Sequence, residues 1–393
     1  MFKNGFLFFV LAAFCEMAGP GSAAVSAPAT PAFTTIVNQY FSQWDTDGSA
    51  ALSPEEIDHA VANPQFKDEA AAAIGAIKVV VRGGKYNLPP LTKAYLLASP
   101  LTEPTGPEVD PAFRDDPAKP GKIDHPPSFQ VRYLANLERL RAESPALFPQ
   151  GLPALNSCHQ GPLGDCYFVS VVGAMVYRSP QSVKDLFTAN ADGSTTVRFG
   201  NGRSVTLPPL TDAEVAISSS AGANGRWLAV LENAYGKIRD EVVAAHRDDA
   251  VDTDSIAKGG SPAPVIQALT GHATRFIAIV EANGQRRSGE PFATTLRTAL
   301  LTATRGSELA GTGTPDRGTP PGVTPGHAYA ILGYDANSGL LHLWNPHGNS
   351  FAPKGSPGVE NGYVTQAGQF SIPFGDWLRV YHGATFETAA LLK

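Results

Sequence analysis

The stretch Asn156–Tyr177, NSCHQGPLGDCYFVSVVGAMVY, constrains this chain more than any other. Gly161, Pro162 and Gly164 make a rigid turn, Asp165 stands where an N-cap is expected, and Cys166 opens an apolar run that predicts a helix. A thiol at that point sees the positive end of the helix dipole, which favours the thiolate. Backbone N–H groups there can also hold an oxyanion. Gln160, across the turn, can bring a side-chain amide to the same position.

A nucleophilic thiolate needs a base, and the base needs an orienting partner. Of the nine histidines, His327 is the best placed, at the start of a predicted strand (HAYAILGYD) that follows a Gly/Thr/Pro-rich loop over 305–326. Asn345 ends the next predicted strand, in LHLWNPHG, where its amide oxygen can accept the imidazole N–H and fix the tautomer. His159, His272 and His342 have no comparable context. Cys158 reads as a bystander, although a bridge to Cys166 would silence the thiol in an oxidising compartment.

The rest of the chain is organised around that unit. Residues 128–393 alternate helices with strands such as TVRFG, RFIAIV and LLHLWN and read as one α+β domain. Residues 99–127, dense in proline and in charge of both signs, read as a linker. Glycine (39) and proline (33) are both plentiful, which predicts long loops. The net charge of −6 comes with no basic run, so nucleic acid is not an expected partner. Residues 1–24 carry Lys3, the short apolar run Phe6–Phe14 and a small-residue stretch with Ser22 and Ala24 at cleavage-site positions, the pattern of a secretory signal. The expected location is therefore secreted or periplasmic, without stable membrane insertion.

Between signal and linker, residues 25–98 read as a helical unit. Phe33, Ile36, Val37, Tyr40, Phe41 and Trp44 lie at helical spacing, followed by DTDGSAALSPEE and a second helix. Helix, acidic loop, helix is the EF-hand layout, with Asp45, Asp47, Ser49, the Ala51 carbonyl and Glu56 at ligand positions and Leu52 where an apolar residue pairs with a partner loop. Ala50 takes the sharp-turn position usually held by glycine, so the expected calcium binding is weak. A second hand lacking its acidic ligands is expected over 66–98.

QGPLGDCYF resembles the calpain signature around the nucleophile, and GHAY followed by NPHG is similar to the calpain His and Asn blocks. WLAVLENAYGKI (227–238), the GG…ALTG stretch (259–271) and GQFSIPFGDWLRVY (368–381) resemble further calpain blocks in the same order. The resemblance covers roughly residues 128–390. It implies a papain-like, two-lobed core, with Cys166 on a helical lobe and His327 and Asn345 on a β-rich lobe. It also implies endopeptidase action on exposed protein or peptide segments, with Gln160 in the oxyanion hole. One departure stands out: His347 occupies the place where calpains carry a tryptophan that shields the His–Asn bond. The expected function is thus a secreted, calcium-regulated cysteine endopeptidase. A catalytically weak or inactive calpain-like binding protein, and an acyl transferase of the same Cys-His-Asn type, are the rival readings.

Overall fold

The computed structural model describes residues 30–84, 86–103, 127–240 and 252–391. The signal expected over 1–24 and most of the linker lie outside the described residues. From Ala32 onward the contacts form one unit, built around three apolar clusters. Helix and sheet are mixed throughout, as the α+β reading expects.

The helix Cys166–Arg178 sits at the centre of the largest cluster. Ten of its residues, Tyr167 through Val176, are buried, because it is apolar on every face and is covered on all sides. Helices Trp227–Asp240 and Pro262–Thr270 pack around it, together with a three-stranded sheet (Phe187–Ala189, Thr195–Arg198, Ser204–Leu207).

A six-stranded antiparallel sheet forms the other half. Its order from one edge is Gln369–Pro373, Leu340–Trp344, Ala328–Asp335, Ala310–Gly313, Gly383–Leu391 and His272–Ala278. One face carries the helix Glu290–Gly306, whose Phe292, Leu296 and Leu300 enter the sheet's own apolar cluster. The other face sends Ala328, Ala330, Leu332 and Trp344 into the cluster of the central helix. Trp344 lies so close to Gly173 that a Cβ at 173 would fall 2.2 Å from the indole ring. Only glycine lets the helix and the sheet meet there, and that contact sets the distance between Cys166 and the strand ends that carry His327 and Asn345.

The third cluster holds the N-terminal helices Phe33–Trp44, Pro54–Ala62 and Asp68–Val81. The helix Phe129–Ala142, beyond the linker, packs into it through Phe129, Tyr133 and Leu137, with Phe33 and Phe129 stacked 5.6 Å apart. A buried ion network joins this bundle to the rest: Lys78 pairs with Asp58 and, at 2.6 Å, with Asp254, and Arg82 reaches Asp254 at 2.9 Å. The two-residue strands Ala51–Leu52 and Leu91–Thr92 pair antiparallel, placing Leu52 opposite Leu91. No helix among the described residues is long and apolar enough to cross a membrane.

Candidate active site

Cys166 is the first residue of its helix, and His327 directly precedes the strand Ala328–Asp335. Both line a cleft of about 380 Å³. Asn345 follows the strand Leu340–Trp344, and its Oδ1 lies 2.8 Å from Nε2 of His327. The orientation of the amide is fixed by its other contacts, since Oδ1 accepts the His347 N–H at 3.0 Å and Nδ2 donates to the Thr324 hydroxyl at 3.4 Å. An oxygen at that position requires the Nε2–H tautomer and leaves Nδ1 as the basic nitrogen of the ring. A larger hollow, of about 780 Å³, lies against the outer sheet edge by Tyr177, His342 and Phe370 and holds none of these groups.

The electrostatics differ from the thiolate expected at a helix N-terminus. Burial pushes the Cys166 thiol up, and the N–H groups of Ala328, Tyr167 and Cys166 itself only partly offset this. Burial also lowers His327 to about 3, with the neighbouring His347 ring adding to the drop and the Asn345 bond opposing it. Among the described residues the thiol makes no hydrogen bond to the imidazole. Burial in a low-dielectric site disfavours both the thiolate and the imidazolium, and so opposes the pull of the helix's first turn on the thiol.

Asp165 occupies the N-cap position but makes no capping hydrogen bond. Its carboxyl is buried, so Asp165 does not cap the N–H groups of the helix's first turn. Gln160 is anchored through its backbone N–H to the Pro346 carbonyl at 2.8 Å, while its side-chain Nε2 donates to Leu163 O at 2.8 Å. The amide therefore braces the turn in this structure, with its second N–H left over for another acceptor, and the residue is not part of the cleft lining. Cys158 is fully buried, its thiol donating to Ala154 O and raised to about 12 by burial. Both cysteines are free thiols.

In the N-terminal loop, acceptor atoms of Asp45, Asp47 and Glu56 lie within 4.8 Å of one another. Burial would raise the Glu56 carboxyl, but the N–H groups of Ser53, Asp47 and Thr46 outweigh it and hold Glu56 at about 2. Ser49 donates its hydroxyl to the Ala51 carbonyl at 2.9 Å. Ala50 has φ +66°, the left-handed turn that its sequence position demands.

Sequence reading did not single out Glu232 or Ser219. Both are buried, Glu232 against Asp165 and Ser219 bonded to Glu232, and the available signal was an acidic residue within the otherwise apolar run WLAVLENAY.

A thiol on a buried helix N-terminus, sharing a cleft with an imidazole held by an amide, is the arrangement that papain-like cysteine hydrolases use. Comparison with known families narrows this: residues 135–357 match the model of the calpain family cysteine proteases, and the chain belongs to that family. It is similar to the calpain-type cysteine protease DEK1 of Zea mays, 28% identical over 221 residues, which is 52% of this chain and 9% of the relative. It is also similar to the calpain-type cysteine protease ADL1 of Oryza sativa subsp. japonica, 28% identical over 224 residues, 53% of this chain and 10% of the relative. The matched region thus spans about a tenth of the length of either relative.

Proposed function

We propose that this protein is an exported, calcium-binding cysteine endopeptidase that works through Cys166, His327 and Asn345. The observation that carries the reading is the 2.8 Å bond from His327 Nε2 to Asn345 Oδ1, which leaves Nδ1 as the basic atom of a ring sharing the cleft with Cys166. In this reaction the thiol attacks the peptide carbonyl while Nδ1 takes its proton, so no thiolate need be stored at rest. The same nitrogen then returns the proton to the leaving amine, and water releases the acyl group by the reverse sequence. The Cys166 N–H would hold the oxyanion, and Gln160 would join it only if its amide left Leu163 O for the cleft. Cleft walls built from Gly259, Gly260, Gly311, Gly313 and Gly326 expose backbone on both sides, which suits an extended peptide.

Asp45, Asp47, Ser49, the Ala51 carbonyl and Glu56 would hold calcium. An all-oxygen donor set and a buried Asp45 Oδ1 without a hydrogen-bond partner fit a hard cation. Bound calcium would offset two of the three carboxylate charges and brace the loop. The pairing of Leu52 with Leu91 supports reading the two loops as a paired unit. Export rests on the 1–24 signal pattern alone.

The test is labelling of the reduced mature protein with an epoxide inhibitor of cysteine peptidases, in calcium and in chelator, alongside hydrolysis of a denatured protein substrate. Stoichiometric labelling that disappears in Cys166→Ala, together with cleavage, is expected. A wild type that neither labels nor cleaves would sink the enzyme reading. Labelling with amine incorporation in place of hydrolysis would move it to an acyl transferase.

A further inference from the structure

Asp165, directly before the thiol, is 0% exposed, and among the described residues no other residue donates a hydrogen bond to its carboxylate oxygens. The side chain that faces it is Glu232, itself 0% exposed, on the helix Trp227–Asp240. Two carboxylates buried face to face repel strongly unless one proton lies between them. Glu232 is the better acceptor of the two. Its Oε2 takes the Ser219 N–H at 2.9 Å and its Oε1 takes the Ser219 hydroxyl at 2.6 Å, and the Arg139 guanidinium lies nearby on the helix Phe129–Ala142. Asp165 has no such donors, so the proton belongs on Asp165 and is donated to Glu232. In agreement, burial first and then Glu232 push the Asp165 carboxyl well above the ordinary range.

The chain of bonds continues past Glu232. The Ser219 hydroxyl accepts the Gly161 N–H at 3.1 Å, on the residue after Gln160. Beside it, His159 and Ser220 exchange both backbone hydrogen bonds at 2.9 Å. We infer that Asp165 and Glu232 share one proton and, through Ser219, hold together the two ends of the turn that carry Gln160 and Cys166. They act as positioning residues for the oxyanion-binding groups. The inference rests on the peptidase reading for its consequence, but not for the existence of the pair.

The other ionisable groups around the pair are the Cys166 thiol, the Tyr167 phenol with Arg239 against it, Glu143 on the Ser220 hydroxyl, and His159 near Arg139. None of them supplies Asp165 with a hydrogen bond. The alternative, an ionised Asp165, would leave a buried carboxylate with no donor but its own backbone N–H among the described residues.

Two measurements on the full chain test this. Infrared difference spectra at pH 9, where Glu143 has released its proton, should show a protonated-carboxyl C=O band that Asp165→Asn removes. Inhibitor labelling of Cys166 should fall at least tenfold in Asp165→Ala with an unchanged circular dichroism spectrum. Asp165→Asn, whose amide can still donate to Glu232, should recover most of that loss. Absence of the band, its survival in Asp165→Asn, or equal labelling in the Ala and Asn variants would overturn the inference. A wild type that does not label would count against the peptidase reading alone, and the infrared result would still decide for or against the pair.

Discussion

The His347 ring lies 4.3 Å, centroid to centroid, from the His327 ring, with the two planes 29° apart. It covers the His327–Asn345 bond as the tryptophan of related sequences is expected to, and its backbone N–H also binds Asn345 Oδ1. As a shield it works against the chemistry in one respect. In the proposed reaction His327 becomes an imidazolium during acyl transfer, and the neighbouring imidazole lowers its proton affinity.

An indole at 347 cannot take up a proton beside His327 as an imidazole can, and it offers a π-face to the imidazolium, a contribution of about 0.5–2 kcal/mol. His347→Trp is therefore expected to raise the rate of Cys166 alkylation several-fold, most at mildly acid pH. A pH series of labelling rates measures this, and a variant no faster than wild type at pH 5–6 would contradict it.

Glu143 is a second buried acid, held near Ser220 and Arg226, and burial raises it to about 7 despite those partners. Between pH 4.5 and about 7 the folded protein keeps this proton while the unfolded chain has released it, so stability falls as pH rises across that window. A shift of this size corresponds to roughly 3 kcal/mol. Gln cannot titrate. The stability of Glu143→Gln relative to wild type should therefore improve by up to that amount from pH 4.5 to pH 7 and then level off. Urea unfolding at a series of pH values reads it, and parallel curves would show that Glu143 does not carry the proton.

How much of this was legible beforehand follows the range of the interactions involved. The amphipathic spacing from Phe33 to Trp44 gave that helix to the residue, and the strands ending just before Asn345 and starting after His327 are local patterns of alternating or continuous apolar residues. The pairing of His327 with Asn345 was within reach because neighbouring antiparallel strands bring their ends together. The polarity of the resting thiol was not, because a helix dipole is visible in sequence while burial depends on what the sheet lays over the helix. Asp165 misled for the same reason. Its position is that of a cap, but its carboxyl answers to Glu232, a residue far along the chain. The packing of the helix Phe129–Ala142 against Phe33 likewise depends on a contact across the linker that no local pattern encodes.

The Lys78 network makes the N-terminal bundle part of the structure around the site. Lys78 and Arg82 hold Asp254, and shortly after it Ala257 and Gly259 bond to both sides of Gly164, with Gly164 N–H reaching Ala257 O at 3.2 Å and Gly259 N–H reaching Gly164 O at 2.9 Å. Gly164 belongs to the turn that leads into Cys166. Lys78→Met keeps the volume but strips a buried cation from Asp58 and Asp254, a loss of about 3–5 kcal/mol. Chemical denaturation should show that loss, and Cys166 labelling should slow in the variant even where it remains folded. A variant that labels at the wild-type rate would show that the bundle does not support the turn.

Ala50 offers the sharpest test of the proposed calcium loop. Its φ of +66° places a Cβ in the left-handed region, at a cost of about 1–2 kcal/mol relative to the right-handed one. Gly48, with φ +70°, takes the neighbouring turn without that penalty and so cannot remove it from Ala50. Ala50→Gly relieves the strain in the folded loop, while the glycine adds freedom to the unfolded chain, so the net gain is about 1 kcal/mol in chelator. Calcium at ten times its dissociation constant should add about 1.4 kcal/mol to either protein. Asp45→Ala, which removes a ligand but not the turn, should abolish only the calcium-dependent part. Thermal melts of the three proteins with calcium and with chelator separate the two effects. A gain in Ala50→Gly with no calcium shift in any protein would leave the strained turn as a purely structural feature. A calcium shift that survives Asp45→Ala would place the ion elsewhere.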